Sequence, residues 1–208
     1  MPLRNAASFP LAVVLAVLGV APAAGLSDGL LYVTCGSVIK LQSYSGTQHC
    51  LHSHDISYGQ GSGQQSVTGF AGVDAANSLW RVVGNEQCIQ GARIANDELI
   101  RLQHLGTRRW LHSHAFASPL SGYQEVSCFG RDAVSDAADL WHVELDGPSE
   151  LWLADAAVRL RHNVSGTYLA NHAVAYQRPI AGHTEVFAVK GNANSAQTRW
   201  RATQGVFL

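Results

Sequence analysis

The sequence predicts an all-β fold, and three observations lead there. First, the chain states one pattern three times. Lys40-Leu41-Gln42 returns as Arg101-Leu102-Gln103 and Arg159-Leu160-Arg161. Gly46-Thr47 returns as Gly106-Thr107 and Gly166-Thr167, 60 residues apart both times. Leu51 matches Leu111 and Leu169, and Trp80 matches Trp141 and Trp200. Second, the segments between these anchors alternate apolar and polar with a period of two, as half-buried strands do, and none carries a long 3.6-residue period. Third, Gly, Pro, Ser, Asn and Asp collect between the short runs, as turns require. A fixed internal period marks one supersecondary unit that cannot bury its apolar face alone. Four short strands per unit make about twelve. Propellers with four strands per blade close with four or more blades. Three units suit a closed barrel with hairpin caps, a β-trefoil spanning about residues 30–203, with repeats at about 30–84, 95–146 and 153–203.

The second repeat shows the elements in order. Leu99 to Leu105 alternates and reads as a strand, Gly106-Thr107 turns the chain, and Trp110 to His114 returns. Gln124 to Phe129 is a third strand, and Asp139 to Val143 a fourth, rich in residues that suit a pleated sheet. From the turn Gly to the core Leu is five residues in repeats one and two and three in repeat three. A change of two keeps the same face inward, whereas a change of one would flip it. Leu41, Leu102 and Leu160, Leu51, Leu111 and Leu169, and the three tryptophans are therefore the expected structural repeat. An aromatic flanked by apolar residues at one place in every unit behaves as core, so Trp80, Trp141 and Trp200 are not taken as sugar-stacking platforms.

Residues 1–23 lie outside the repeats. Arg4, an apolar run from Phe9 to Val20, and Ala21-Pro22-Ala23 read as a secretory signal peptide. The run is too short to span a bilayer, which needs about 20 apolar residues, and no later segment is apolar enough. With a net charge of −1 and 14% charged residues, nothing steers the chain toward nucleic acid or an anionic membrane. Cys35, Cys50, Cys88 and Cys128 would lie in an oxidising compartment. An even count suggests two disulfides, but four cysteines allow three connectivities, and none occupies an equivalent place in all repeats.

Candidates for chemistry are few. His52/His54 and His112/His114 are two His-x-His pairs, with His172 in the third repeat. Side chains at i and i+2 share a strand face, so each pair offers two imidazoles to a metal. Repetition argues against this: a single site needs its ligands once, whereas a hairpin cap needs its residues in every unit. No metal and no cofactor is assigned, and the second histidine is expected to hold its loop by hydrogen bonds. Ser53 and Ser113 lie in no nucleophile elbow, and no Gly-rich phosphate loop opens a helix, so no catalytic residue is assigned. The aromatics Tyr58, Phe116, Tyr123 and Tyr176, which do not look repeated, are surface-contact candidates. The binding loops are placed at residues 58–65 and 116–124, with Gln64, Gln65 and Gln124 beside the aromatics. Asn163-Val164-Ser165 is an N-glycosylation sequon at the turn of repeat three.

Several motifs carry a family resemblance. They are Val33-Thr34-Cys35-Gly36-Ser37-Val38-Ile39-Lys40-Leu41, Leu51-His52-Ser53-His54-Asp55, and the run Gly61-Ser62-Gly63-Gln64-Gln65-Ser66-Val67-Thr68-Gly69. Asn77-Ser78-Leu79-Trp80-Arg81, Ser118-Pro119-Leu120-Ser121-Gly122 and Gln124-Glu125-Val126-Ser127 complete the set. Together they resemble the three-MIR-domain proteins of the stromal-cell-derived factor 2 type, over essentially the whole chain after the signal. The resemblance implies a non-enzymatic β-trefoil of the endoplasmic reticulum lumen, linked to quality control and the unfolded-protein response. It implies an Hsp40-type (J-domain) co-chaperone and lumenal Hsp70 as partners, with misfolded or O-mannosylated clients. The chain departs from the family in three ways. It stops at Gly205-Val206-Phe207-Leu208 without a retrieval tetrapeptide, it has no second Cys between Cys88 and repeat two, and it reads Leu169-Ala170-Asn171-His172 where the other repeats have Leu-His-Ser-His. The ending keeps secretion open, and with it an alternative function as a secreted carbohydrate-binding lectin.

Overall fold

The computed structural model describes residues 29–72, 75–84, 88–191 and 195–208. The expected signal peptide falls outside them. Twelve strands form in chain order. They are β1 (Val38–Ser43), β2 (Cys50–Ser57), β3 (Gln65–Phe70), β4 (Trp80–Gly84), β5 (Glu98–His104), β6 (Trp110–Ala117), β7 (Gln124–Phe129), β8 (Trp141–Leu145), β9 (Val158–His162), β10 (Tyr168–Ala175), β11 (Thr184–Val189) and β12 (Trp200–Val206). Each repeat contributes four.

The pairings divide the strands into two layers. β1, β4, β5, β8, β9 and β12 pair in that order and β12 returns to β1, closing a six-stranded ring. The hairpins β2–β3, β6–β7 and β10–β11 sit on the ring, and β3, β7 and β11 pair with one another in a triangle. Closing both layers removes the sheet edges that would otherwise recruit other chains.

Leu41, Leu51, Trp80, Leu102, Leu111, Trp141, Leu160, Leu169 and Trp200 are all fully buried in one core cluster. The tryptophans also close the hairpins onto the ring: their indole N–H groups donate to the carbonyls of Leu51, Leu111 and Leu169 at 2.9, 3.1 and 2.9 Å. Buried indole N–H groups need such a partner. The expected shortening of the turn in repeat three is not found: Arg161 and Tyr168 are as far apart in the chain as Gln103 and Trp110, and Gly166 is not the counterpart of Gly106, because Ser165 takes the place of Thr107. Gln42 faces Cys50, Gln103 faces Trp110, and Arg161 faces Tyr168, so the next residue, always Leu, points inward each time.

The fourth strand of repeat two starts at Trp141, not Asp139. Residues Ala137–Asp139 form a 3-10 turn, in which Asp139 accepts from the Asp136 N–H and Asp136 from Ala138 N–H. Short acidic side chains favour such local bonds over a sheet ladder. The disulfide reading also needs correction. Cys35 and Cys88 are bonded, whereas Cys50 and Cys128 are free, buried thiols. They lie on different hairpins, with Cys50 opposite Phe70 and Cys128 opposite Leu111 and Gln65. The Cys128 thiol lies 3.5 Å from Ser53 Oγ.

Candidate functional site at the cap

The three hairpins share an irregularity. Pairing slips between Ser53 and Ser57, between Ser113 and Ala117, and between Asn171 and Ala175. Such a bulge re-aims side chains. Here it turns Ile56, Phe116 and Val174 outward, at 37%, 50% and 52% exposure. It also sets the second histidine of each cap beside the next strand.

The loops after the bulges meet over the triangle. In repeat two, His114 Nε2 lies 3.0 Å from Glu125 Oε1. Glu125 is fully buried and also accepts from the Ser62 N–H and hydroxyl in the loop of repeat one. In repeat three, His172 Nε2 stands 2.7 Å from Glu185 Oε2, a close contact outside hydrogen-bond alignment. Glu185 Oε1 accepts from Ser118 Oγ and from the Leu120 and Ser121 N–H groups, at 2.6, 3.0 and 3.0 Å. Each buried carboxylate thus anchors the loop of the preceding repeat. Gly61, at φ +71°, lets the chain pass Glu125, since a Cβ there would collide with the carboxylate. Repeat one has Ser66 at the equivalent place, and its hydroxyl donates to Ile56 O instead.

Where the acid is missing, the loops leave an open apolar hollow of about 390 Å³. Ile56, Tyr58, Pro119, Leu120, Tyr176 and Ile180 form its walls, drawn from all three repeats. Tyr58, Tyr176 and Ile180 pack together as its floor. The Tyr58 hydroxyl lies 2.9 Å from the carbonyls of both Val67 and Val126, so its one proton is shared between two hairpins. Burial pushes both phenols up, Tyr176 to about 12, so both remain neutral. Arg178 stands at the mouth.

The sequence-predicted contact residues separate into two groups. Phe116 and Tyr123 are half exposed, with Tyr123 stacked on Phe187 at 5.0 Å. Tyr123, Gln124, Thr167 and Lys190 line a second open hollow of about 330 Å³. Gln65 is instead a buried strut, its amide donating to Ser53 Oγ and to Thr107 Oγ1 of the next repeat, at 2.7 and 2.9 Å. Gln124 makes the same bridge to Ser113 and Ser165, and Gln64 accepts from Ser127. Tyr58 and Tyr176 are not unrepeated: each immediately follows its hairpin's first strand, where repeat two has Ser118. Leu120, Ile180 and the Glu125 and Glu185 anchors were missed. A column comparing Ser66-Val67, Glu125-Val126 and Glu185-Val186 would have exposed the acids.

Asn163 is exposed, and its side-chain carbonyl accepts from His142 Nε2 at 3.1 Å. Among the described residues, no helix is long and apolar enough to cross a membrane.

Comparison with known proteins fits this geometry. The MIR domain family model matches residues 32–195. Human stromal cell-derived factor 2 is 46% identical over 187 residues, covering 88% of this chain and 85% of the relative. The crystal structure of the SDF2-like protein from Arabidopsis thaliana superposes with a TM-score of 0.83 at 46% identity, over 86% of this chain and 98% of that one. The structure of the S. cerevisiae protein O-mannosyltransferase Pmt1-Pmt2 complex bound to the sugar donor matches with a TM-score of 0.79 at 31% identity. It covers 86% of this chain and 26% of that one.

Proposed function

Since the chain belongs to the stromal cell-derived factor 2 family of MIR-domain proteins, we propose that it is a non-enzymatic binding protein of the endoplasmic reticulum lumen. It holds misfolded or O-mannosylated clients in quality control and the unfolded-protein response, together with an Hsp40-type J-domain protein and lumenal Hsp70. Its ring-and-cap architecture is a β-trefoil, with the signal peptide at residues 1–23 directing entry to the lumen and Asn163 taking an N-glycan.

The observation that carries this reading is the apolar hollow at the cap. Ligand sites are concave, mostly apolar and rimmed by a few polar groups. An extended client segment would place one aliphatic or aromatic side chain between Leu120, Ile56 and Ile180. Burying such a side chain contributes about 1.5–3 kcal/mol, and association costs consume part of it. The result is weak, reversible holding, which lowers the free concentration of unfolded chain and so its aggregation. The similarity to part of the S. cerevisiae protein O-mannosyltransferase Pmt1-Pmt2 complex supports mannosylated chains among the clients.

A second reading is a lectin, and one feature favours it: the half-exposed ring of Tyr123, backed by buried Phe187 and bordering the hollow with Thr167 and Lys190, is a surface on which a sugar ring could lie.

The test is suppression of aggregation of a denatured client, compared between the unaltered chain and Leu120→Asp. Lost suppression in the variant, with recovery of a J-domain protein from lumenal lysate by both, supports holding at the cap. Binding confined to a glycan array and abolished by Tyr123→Ala makes the protein a lectin.

A further inference from the structure

The pseudo-threefold arrangement supplies an internal control for its own histidines. In repeats two and three the second cap histidine faces a buried carboxylate, Glu125 or Glu185. In repeat one Ser66 removes that carboxylate, and the buried Nδ1 of His54 has no hydrogen-bond partner. A third imidazole arrives there from another repeat. His183 occupies the place held by Gln64 and Tyr123 in the other loops, each directly before the last cap strand. One ring nitrogen from each of His52, His54 and His183 lies within 4.8 Å of the other two. The rings stand 5.1 to 5.5 Å apart.

We propose that His52, His54 and His183 form a three-histidine binding site for a divalent transition metal ion of the zinc class. Imidazole nitrogen suits zinc, copper and nickel rather than magnesium or calcium. Three histidines plus water is an established tetrahedral donor set. Metal-ligating histidines have the second ring nitrogen held by an outer partner, and two of these three already do. His52 Nδ1 lies 3.0 Å from Ser78 Oγ, and His183 Nδ1 lies 2.9 Å from Thr68 Oγ1. That leaves Nε2 of each available. Phe70 stacks on the His183 ring at 4.5 Å and fixes its plane. A loaded tetrahedral site places nitrogens about 3.3 Å apart, so the three need only draw together slightly. The bound ion would staple the loop of residues 176–183, one wall of the apolar hollow, to β2.

The test titrates the full chain, carrying no polyhistidine tag and stripped with EDTA, with Co²⁺ and then with competing Zn²⁺. The expected result is one equivalent bound, with the intense visible absorption of tetrahedral cobalt, bleached by zinc. His183→Gln installs the side chain that Gln64 supplies at the matching place, so the cap keeps a native-type contact. It should lower zinc affinity at least about 100-fold, since even outer partners contribute about 10- to 100-fold. Ser78→Ala should lower it about 10-fold, and His114→Gln should leave it unchanged. A cobalt spectrum that stays octahedral, or binding as tight in His183→Gln as in the unaltered chain, would overturn the assignment.

Discussion

The ring and the cap of this molecule were built from the same three copies and have diverged differently. In the ring, equivalent buried positions hold the same or a similar apolar residue: Leu41, Leu102 and Leu160, Trp80, Trp141 and Trp200, or Ile39, Ile100 and Val158. In the cap the same place can hold Ser66, Glu125 or Glu185, and another holds Gln64, Tyr123 or His183. Closing six strands around one axis favours three closely matched wedges, because interiors are close-packed and feel a single methylene. The cap has solvent on one side, so a loop can be held by a carboxylate in two repeats and by other contacts in the third. The threefold pattern breaks around Ser66, where the hollow and the histidine trio lie.

The largest effect should come from the ring. Trp141→Ala removes a fully buried indole and its bond to Leu111 O, and should cost about 3–5 kcal/mol in urea unfolding. The cap should respond unevenly. Glu185→Ala leaves the Leu120 and Ser121 N–H groups and the Ser118 hydroxyl without their acceptor, at an expected cost of about 3 kcal/mol. Ser66→Ala, at the matching place, should cost about 1 kcal/mol. Equal losses from the two would break the distinction between clamped and open repeats.

A subtler effect concerns pH. The His52 pKa is lowered to about 3, first by burial and then by His183, His54 and His104. Because the folded value lies below the unfolded one, its contribution is full above pH about 6.5 and drains away as pH falls toward 3. With metal removed, unfolding midpoints should therefore drop over that window, and His52→Gln should flatten the slope. The smallest effect is a null one. Cys128 is fully buried and its thiol is pushed up to about 12 by burial, while that of Cys50 is raised for the same reason. Since the thiolate is the reactive form, neither should react with a thiol reagent at pH 8 until the protein is unfolded.

This contrast also explains what could be read from the chain. The ring was legible because each wedge repeats: the Leu and Trp anchors located every hairpin, whereas the Gly-Thr turn signal misaligned repeat three, whose turn is as long as that of repeat two. The cap was legible only where it, too, repeats. Its polar contacts run between repeats, from Gln65 to Thr107, from Gln124 to Ser165, and, with the amide moved to the other strand, from Asn171 to Ser45 and Thr47. That exchange is invisible to a positional comparison, because Asn171 aligns with Ser53 and Thr184 with Gln65. The same holds for His183, which is near His52 in space but 131 residues away in the chain. The histidine pairs were set aside as structural because two copies looked alike, whereas the third ligand comes from the loop that differs.

The most direct test of the central claim, that the cap is the working face on an inert ring, is an NMR titration of the isotope-labelled chain with an unfolded apolar peptide. The account predicts saturable shifts at Ile56, Tyr58, Leu120, Tyr176 and Ile180, with the resonances of Trp80, Trp141 and Trp200 unmoved. Shifts confined to the ring, or none at the cap, would contradict it.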